Sequence, residues 1–196
     1  MTSASFIERV RDNGFIKSGS EEQRFMDIAA REAQRITAKI NTGYHSQEEL
    51  TELLSALTGR EVDSSVRLFP PIYSDFGKNI RFGKGVFVNS GCCFQDQGGV
   101  SLGDGTFVGH QVVFATLNHS LSPADRGSMT ASPITVGKNV WIGSHATILA
   151  GVTVGDNSVV AAGAVVTRSL PANVVAAGVP AKVVKYLDED TPLTKG

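Results

Sequence analysis

Apolar positions along the chain follow two different periods, and the change falls near residue 65. In the first third, Phe25, Ile28, Ala29, Ile36 and Ile40 recur at helical spacing behind Ser20 and Gln23, which stand as the ends of a capping box. This predicts an amphipathic helix over about 21–40. Ser46 and Glu49 repeat the capping signature, and Leu50, Leu53, Leu54 and Leu57 then form one stripe that Gly59 ends. Two helices this short bury too little surface to offset their ordering entropy alone, so their stripes are expected against the rest of the protein or a neighbouring subunit. Phe69-Pro70-Pro71 then starts extended chain.

From about residue 80 the period becomes six. Aliphatic or aromatic residues stand at Phe82, Val88 and Phe94, at Leu102, Val108 and Phe114, and at Val136, Ile142, Ile148, Val154, Val160 and Val166. A small or β-branched residue follows four places later in most hexads (Val86, Thr106, Val112, Val140, Ala146, Val152, Ser158, Ala164), and glycine often follows directly (Gly83, Gly103, Gly109, Gly137, Gly143, Gly155). Neither a helix nor an alternating hairpin strand has that period. It suits a coil of three short strands and three corners per turn, with identical positions stacked into inward ladders and glycine relieving the backbone at corners. At least twelve hexads, about four turns, are present. The expected organisation is an all-β main domain, a parallel β-helix of hexapeptide repeats over 66–187, with a helical N-terminal extension over 1–65 and a polar tail over 188–196.

The repeat stops between Phe114 and Val136, where LNHSLSPADRGSMTASP carries turn formers and two prolines, then resumes in phase. That predicts a loop pushed out from a corner over about 115–133, and long loops on rigid scaffolds commonly carry function. His119 lies at its root, whereas His110 and His145 fall inside hexads and His45 lies between the helices. One well-placed neutral imidazole is what hydroxyl acylation requires: it takes the proton as the alcohol attacks a thioester and returns it to the leaving thiolate. Cys92 and Cys93 lie in a hexad, read as packing residues rather than nucleophiles. Being adjacent, they point to opposite faces of a strand, which disfavours a disulfide between them and suits a reducing cytoplasm.

Composition narrows the partners. With 18 Lys+Arg against 19 Asp+Glu the formal charge is −1, so no global field collects nucleic acid or anionic membrane, and an anionic ligand must be held locally. No stretch has the ~18 apolar residues of a membrane span, and the N-terminus lacks the apolar core of an export signal, giving an expectation of cytoplasmic location. Glycine is frequent (21 residues) and aromatics scarce (7 %), as tight repeated turns would require.

The block SPITVGKNVWIGSHATILAGVTVGDNSVVAAGAVVTRSLPANVVAAGVPAKVV closely resembles the maltose/galactoside O-acetyltransferase family, and the resemblance runs over roughly residues 68–187. It implies a left-handed coil, against the usual crossover preference, and a homotrimer with active sites between neighbouring subunits. It further implies acetyl-CoA as co-substrate, with no prosthetic group or metal. His119 matches the catalytic histidine, and Asn89 and Asp96 match polar residues lining the acceptor site, with Trp141 near the reactive centre. For acetyl-CoA, Ser144 matches the contact to the thioester end, Ala162 and Gly163 the pantetheine arm, Thr167 and Arg168 the nucleotide end, and Lys182 and Lys185 the phosphates. The implied reaction is direct acetyl transfer to a hydroxyl of a sugar or similar small acceptor. Asp75 departs from the family, replacing a small hydroxyl residue, and the N-terminal helices do not match its usual motif. An antibiotic or amino-sugar acceptor therefore stays open. So do two other classes on this scaffold: a metal-dependent hydratase similar to the γ-type carbonic anhydrases, which needs a third histidine beside His110 and His119, and a non-catalytic trimeric binding protein.

Overall fold

The computed structural model of the protein describes residues 1–188, so the polar tail expected over 188–196 lies, apart from its first residue, outside the described residues. Three helices precede the coil: α1 (Ser3–Asn13), α2 (Glu21–Ile40) and α3 (Gln47–Thr58). Helix α3 has the complete capping box, with Ser46 Oγ accepting from Glu49 N and Glu49 Oε2 accepting from Ser46 N, and it ends at Gly59 in the left-handed conformation (φ 68°). At α2 the box is half made. Ser20 Oγ accepts from Gln23 N, but the Gln23 side chain accepts from Gly19 N instead.

The buried stripe of α2 is Met26, Ala29, Ala33, Thr37 and Ile40, rotated from the expected one, and Ile28 is left 66 % exposed. Spacings of three and four follow that line along the helix, whereas Phe25 and Ile28 fall on its flank. Helix α1 was not anticipated. Only Phe6 and Val10 of it are buried, too brief a periodic signal to stand out.

The chain then winds into a three-sided parallel coil. Its first face stacks Arg67–Leu68, Phe87–Val88, Phe107–Val108, Trp141–Ile142, Val159–Val160 and Val174–Gly178. The second stacks Ile72–Ser74, Cys92–Gln95, Val113–Ala115, Thr147–Leu149 and Val165–Val166. The third stacks Ile80–Phe82, Val100–Leu102, Ile134–Val136 and Thr153–Val154. A final strand, Ala181–Tyr186, turns back antiparallel on Val174–Gly178.

The repeat positions are inward ladders: Leu68, Val88, Val108, Ile142, Val160 and Ala176 stand in one register and are almost fully buried. On the second face Phe94 and Phe114 stack at 4.8 Å. Phe82 is only partly buried because it lies near the first turn, packed on the outside of the main cluster. The coil starts at Arg67, close to the expected boundary at 66 and one turn before the repeat becomes visible, since Ser74 stands in the core column of Phe94 and Phe114. The first-turn end is closed by α2 and α3, whose Ala33, Ile40, Leu50, Leu54 and Leu57 join the coil core. Among the described residues no helix is long and apolar enough to cross a membrane.

The glycines after the core positions have a different cause from the one expected. A Cβ on Gly103 would stand 2.5 Å from the carbonyl carbon of Gly137, in the next turn, so closeness of successive coils excludes a side chain there. The left-handed corner sites lie two residues further on, and several are held by asparagine. Asn139, Asn157 and Asn173 have φ of 53–58° and are linked by side-chain hydrogen bonds of 3.3 and 2.9 Å. Gly103→Ala is therefore expected to lower the unfolding free energy by about 1–3 kcal/mol by overpacking, read from the midpoint of urea denaturation.

Candidate active site

At Ala115 the chain leaves the second face, and it rejoins the third at Ile134. The segment between is more ordered than a plain loop. Leu117–His119 pairs antiparallel with Met129–Ala131, and Phe15–Ile16 from the N-terminal extension adds a third strand. These pairings satisfy main-chain groups that would otherwise need water so far from the coil. His119 ends the outgoing strand opposite Met129, exposed to solvent. Its Nδ1 stands 2.8 Å from the Arg126 carbonyl oxygen. A carbonyl only accepts, so the neutral ring places its proton on Nδ1 and leaves the Nε2 lone pair free.

A second concave region lies on the first face, a groove of about 540 Å³ lined by Phe87, Asn89, Phe107, His110, Trp141 and Ser144. Trp141, in an outward strand position, is 57 % exposed and gives the groove a flat wall. Asn89 turns its Oδ1 onto the amide of Ser90 at 2.9 Å. Ser144 Oγ accepts from the His110 amide, and the Ser144 carbonyl accepts from Gly163 N at 2.9 Å. A Cβ on Gly143 would come within 2.5 Å of Ala162 N, so Ser144, Ala162 and Gly163 form one continuous corner across two turns. Lys182 and Lys185 are exposed on the terminal antiparallel strand bordering the same face, at the positions facing Ala177 and Val175.

Thus Asn89, Trp141, Ser144, Ala162 and Gly163 gather at the corner that follows the first face. His119, Thr167 and Arg168 do not join them: they follow the second face, at the next corner of the prism. Within one chain the second face separates the histidine from the groove.

Asp96 corrects an expectation. It has no exposed surface, and its carboxylate accepts from Ser74 Oγ (2.8 Å), Phe76 N (3.0 Å) and Asn79 N (3.3 Å), so it braces a turn of the first coil and touches no acceptor. Burial pushes its pKa up, against the opposing pull of those hydrogen bonds. Asp75 nearby is also raised, by desolvation. Gln97 Oε1 is, among the described residues, the buried side-chain polar atom left without a partner. Sequence reasoning passed over Gln97 and the Arg126 carbonyl, because neither a corner glutamine nor a main-chain oxygen carries a motif.

Cys92 is buried, and desolvation pushes its thiol up to about 11; Cys93 is raised for the same reason, which keeps both protonated and poorly nucleophilic. Both are free. Among the described residues no three His, Cys, Asp or Glu side chains cluster as metal ligands would.

A three-sided parallel coil of six-residue repeats, interrupted by one histidine-bearing arm, is the architecture of a hexapeptide-repeat protein. The family model described as the hexapeptide repeat of succinyl-transferase matches residues 133–168. The galactoside O-acetyltransferase of Escherichia coli strain K12 is 37 % identical over 153 residues, 77 % of this chain and 75 % of that protein. The maltose O-acetyltransferase of Clostridium difficile 630 superposes with a TM-score of 0.85 at 30 % identity, covering 96 % of this chain and 99 % of the other. A hexapeptide-repeat acetyltransferase of Vibrio cholerae O1 biovar eltor, solved with acetyl coenzyme A, superposes with a TM-score of 0.79 at 28 % identity over 96 % of this chain and all of that one. The chain belongs to the galactoside and maltose O-acetyltransferase family. It is an enzyme of the acetyltransferase class, and its coil is the left-handed β-helix of that family.

The burial of Asp96 has a measurable consequence. A carboxyl whose folded pKa lies above its unfolded one favours the fold most below the unfolded value, and that contribution is lost as pH rises through the folded value. Asp96→Asn should therefore flatten the fall in stability across the mildly acidic range, seen in urea denaturation at a series of pH values. Asp96→Ala, leaving buried N–H groups unpaired, should cost about 1–3 kcal/mol or more without changing the KM for either substrate.

Proposed function

We propose that the protein transfers the acetyl group of acetyl-CoA directly to a hydroxyl of a sugar or similar small acceptor, with His119 as general base. The observation that carries this is the His119 ring itself: its Nδ1 is engaged by the Arg126 carbonyl at 2.8 Å, so Nε2 is the basic atom presented to solvent. Nε2 takes the proton of the acceptor hydroxyl as its oxygen attacks the thioester carbonyl. The tetrahedral intermediate then expels CoA by breaking the C–S bond, and the imidazolium returns the proton to the thiolate, so the enzyme ends unchanged. The Ser144 backbone N–H, at the groove rim, is the group assigned to the developing oxyanion. The pantetheine arm would follow Ala162 and Gly163, with Thr167, Arg168, Lys182 and Lys185 towards the nucleotide and its phosphates. Trp141 and Asn89 would shape the acceptor side.

The complete site is assigned to the junction of two copies in a homotrimer. Support comes from the separation of His119 from the Asn89–Trp141–Ser144 groove by a whole face of the coil, and from exposed Phe107 and Trp141 on that groove. The relatives named for galactoside and maltose make sugars the first acceptors to test, with amino sugars and hydroxylated antibiotics beside them.

His119→Ala should keep the fold and lower acceptor-dependent CoA release by about 10²–10⁴-fold, measured with a thiol reagent. Equal rates for the two proteins would remove His119 from its role. Chains carrying His119→Ala and chains carrying Trp141→Ala, each impaired alone, should regain activity when refolded together, since mixed trimers contain junctions with both residues intact. No recovery would place each site within one chain.

A further inference from the structure

The main chain that holds His119 is itself held by the N-terminal extension. Three consecutive residues on the return limb of the arm share the work. The Arg126 carbonyl fixes the imidazole, and the Gly127 carbonyl accepts from Gln23 Nε2 of α2 at 3.3 Å. Ser128 Oγ accepts from Ser18 N at 2.9 Å, and the Ser128 carbonyl accepts from Ser120 N, next to the histidine, at 2.8 Å.

Further along the same limb Met129 pairs with Ile16, and Ala131 N donates to the carbonyl of Gly14 at 2.9 Å. Beneath these bonds Phe6, Val10, Ile16, Met26 and Phe76 bury Met129 and Ala131 in a cluster separate from the coil core. By contrast, the tip from Leu121 to Arg126 is exposed throughout. A two-stranded hairpin is marginal by itself in water, and a third strand with an apolar underside is what makes it persist.

We propose that α1 and the strand Phe15–Ile16 form a clamp that sets the position of His119, and that Ser18 and Gln23 are positioning residues for acetyl transfer. The proposal rests on the reading of His119 as the base. A displacement of about 1 Å at a reacting group can cost about 10²-fold in rate, so a clamp contributed by the N-terminal extension, remote from His119 in sequence, bears directly on turnover.

Gly127→Ala tests it in the full-length enzyme. A Cβ there would stand 2.5 Å from Ser18 Oγ and 3.1 Å from Ser18 Cβ, so the Ser18 hydroxyl must turn away and clamp and arm must separate by a few tenths of an ångström. The expected result is a kcat severalfold to about 10-fold lower with the KM for acetyl-CoA unchanged, together with faster amide hydrogen exchange over residues 117–131. Adding Ser18→Gly removes the clash while keeping the Ser18 N–H, and should restore both the rate and the protection. Leu54→Ala, in the other cluster, should lower the melting temperature and leave kcat alone.

A wild-type kcat for Gly127→Ala, or a loss that Ser18→Gly does not rescue, overturns the clamp. In the His119→Ala background the Gly127→Ala loss should vanish. If His119→Ala turns over at the wild-type rate, the base assignment fails, and with it the claim of positioning, while exchange over the arm still reports whether the clamp exists.

Discussion

The closeness of one coil to the next governs this structure. Successive turns approach until a single methyl on Gly103 would meet the main chain of Gly137, and that approach makes the parallel hydrogen bonds, the inward ladders and the crowded interior possible together. Small residues such as Ala146, Ser158 and Ala164 follow from it, since a narrow triangular section has no room for larger ones beside the ladder. So does the placement of chemistry. A lattice this tight has no room for reacting groups within it, and the candidate site accordingly lies on its outside, in a groove along one face and on an arm that leaves the coil.

Much of the scaffold was legible because its period is strict and its columns repeat, so each hexad reinforces the next. Val88, Val108, Ile142 and Val160 were assigned inward from spacing and are inward. The signal failed where a polar residue stands in an apolar column. Ser74 does so while donating its hydroxyl to Asp96, and the hexad spacing is therefore not visible in the first turn, although the expected coil, 66–187, includes it. The corner glycines were recognised but given the wrong cause, since sequence alone does not separate a positive φ from a close contact.

The site divides along the same line. An isolated histidine in a non-repeating segment was visible, and so was the outward tryptophan. Asp96 was misplaced because a resemblance transfers residue type more reliably than side-chain direction, and at a corner one residue decides between interior and rim. Helix α1 and the third strand of the arm were invisible for a different reason. Their apolar residues, Phe6, Val10 and Ile16, are few, and they pair with Met129 and Ala131, more than a hundred positions away. Local periodicity has no access to such partners.

The reversed last strand, Ala181–Tyr186, has a meaning beyond its own hydrogen bonds. A parallel coil is self-similar along its axis, so a bare upper end would be a template for the lower end of another molecule, and head-to-tail growth into a fibre would follow. Here the lower end is plugged by α2 and α3, and the upper edge of the first face is finished by chain running the wrong way to be continued. The molecule thereby carries its own length limit, and whole turns could be gained or lost between the two stoppers during evolution without opening a path to polymerisation.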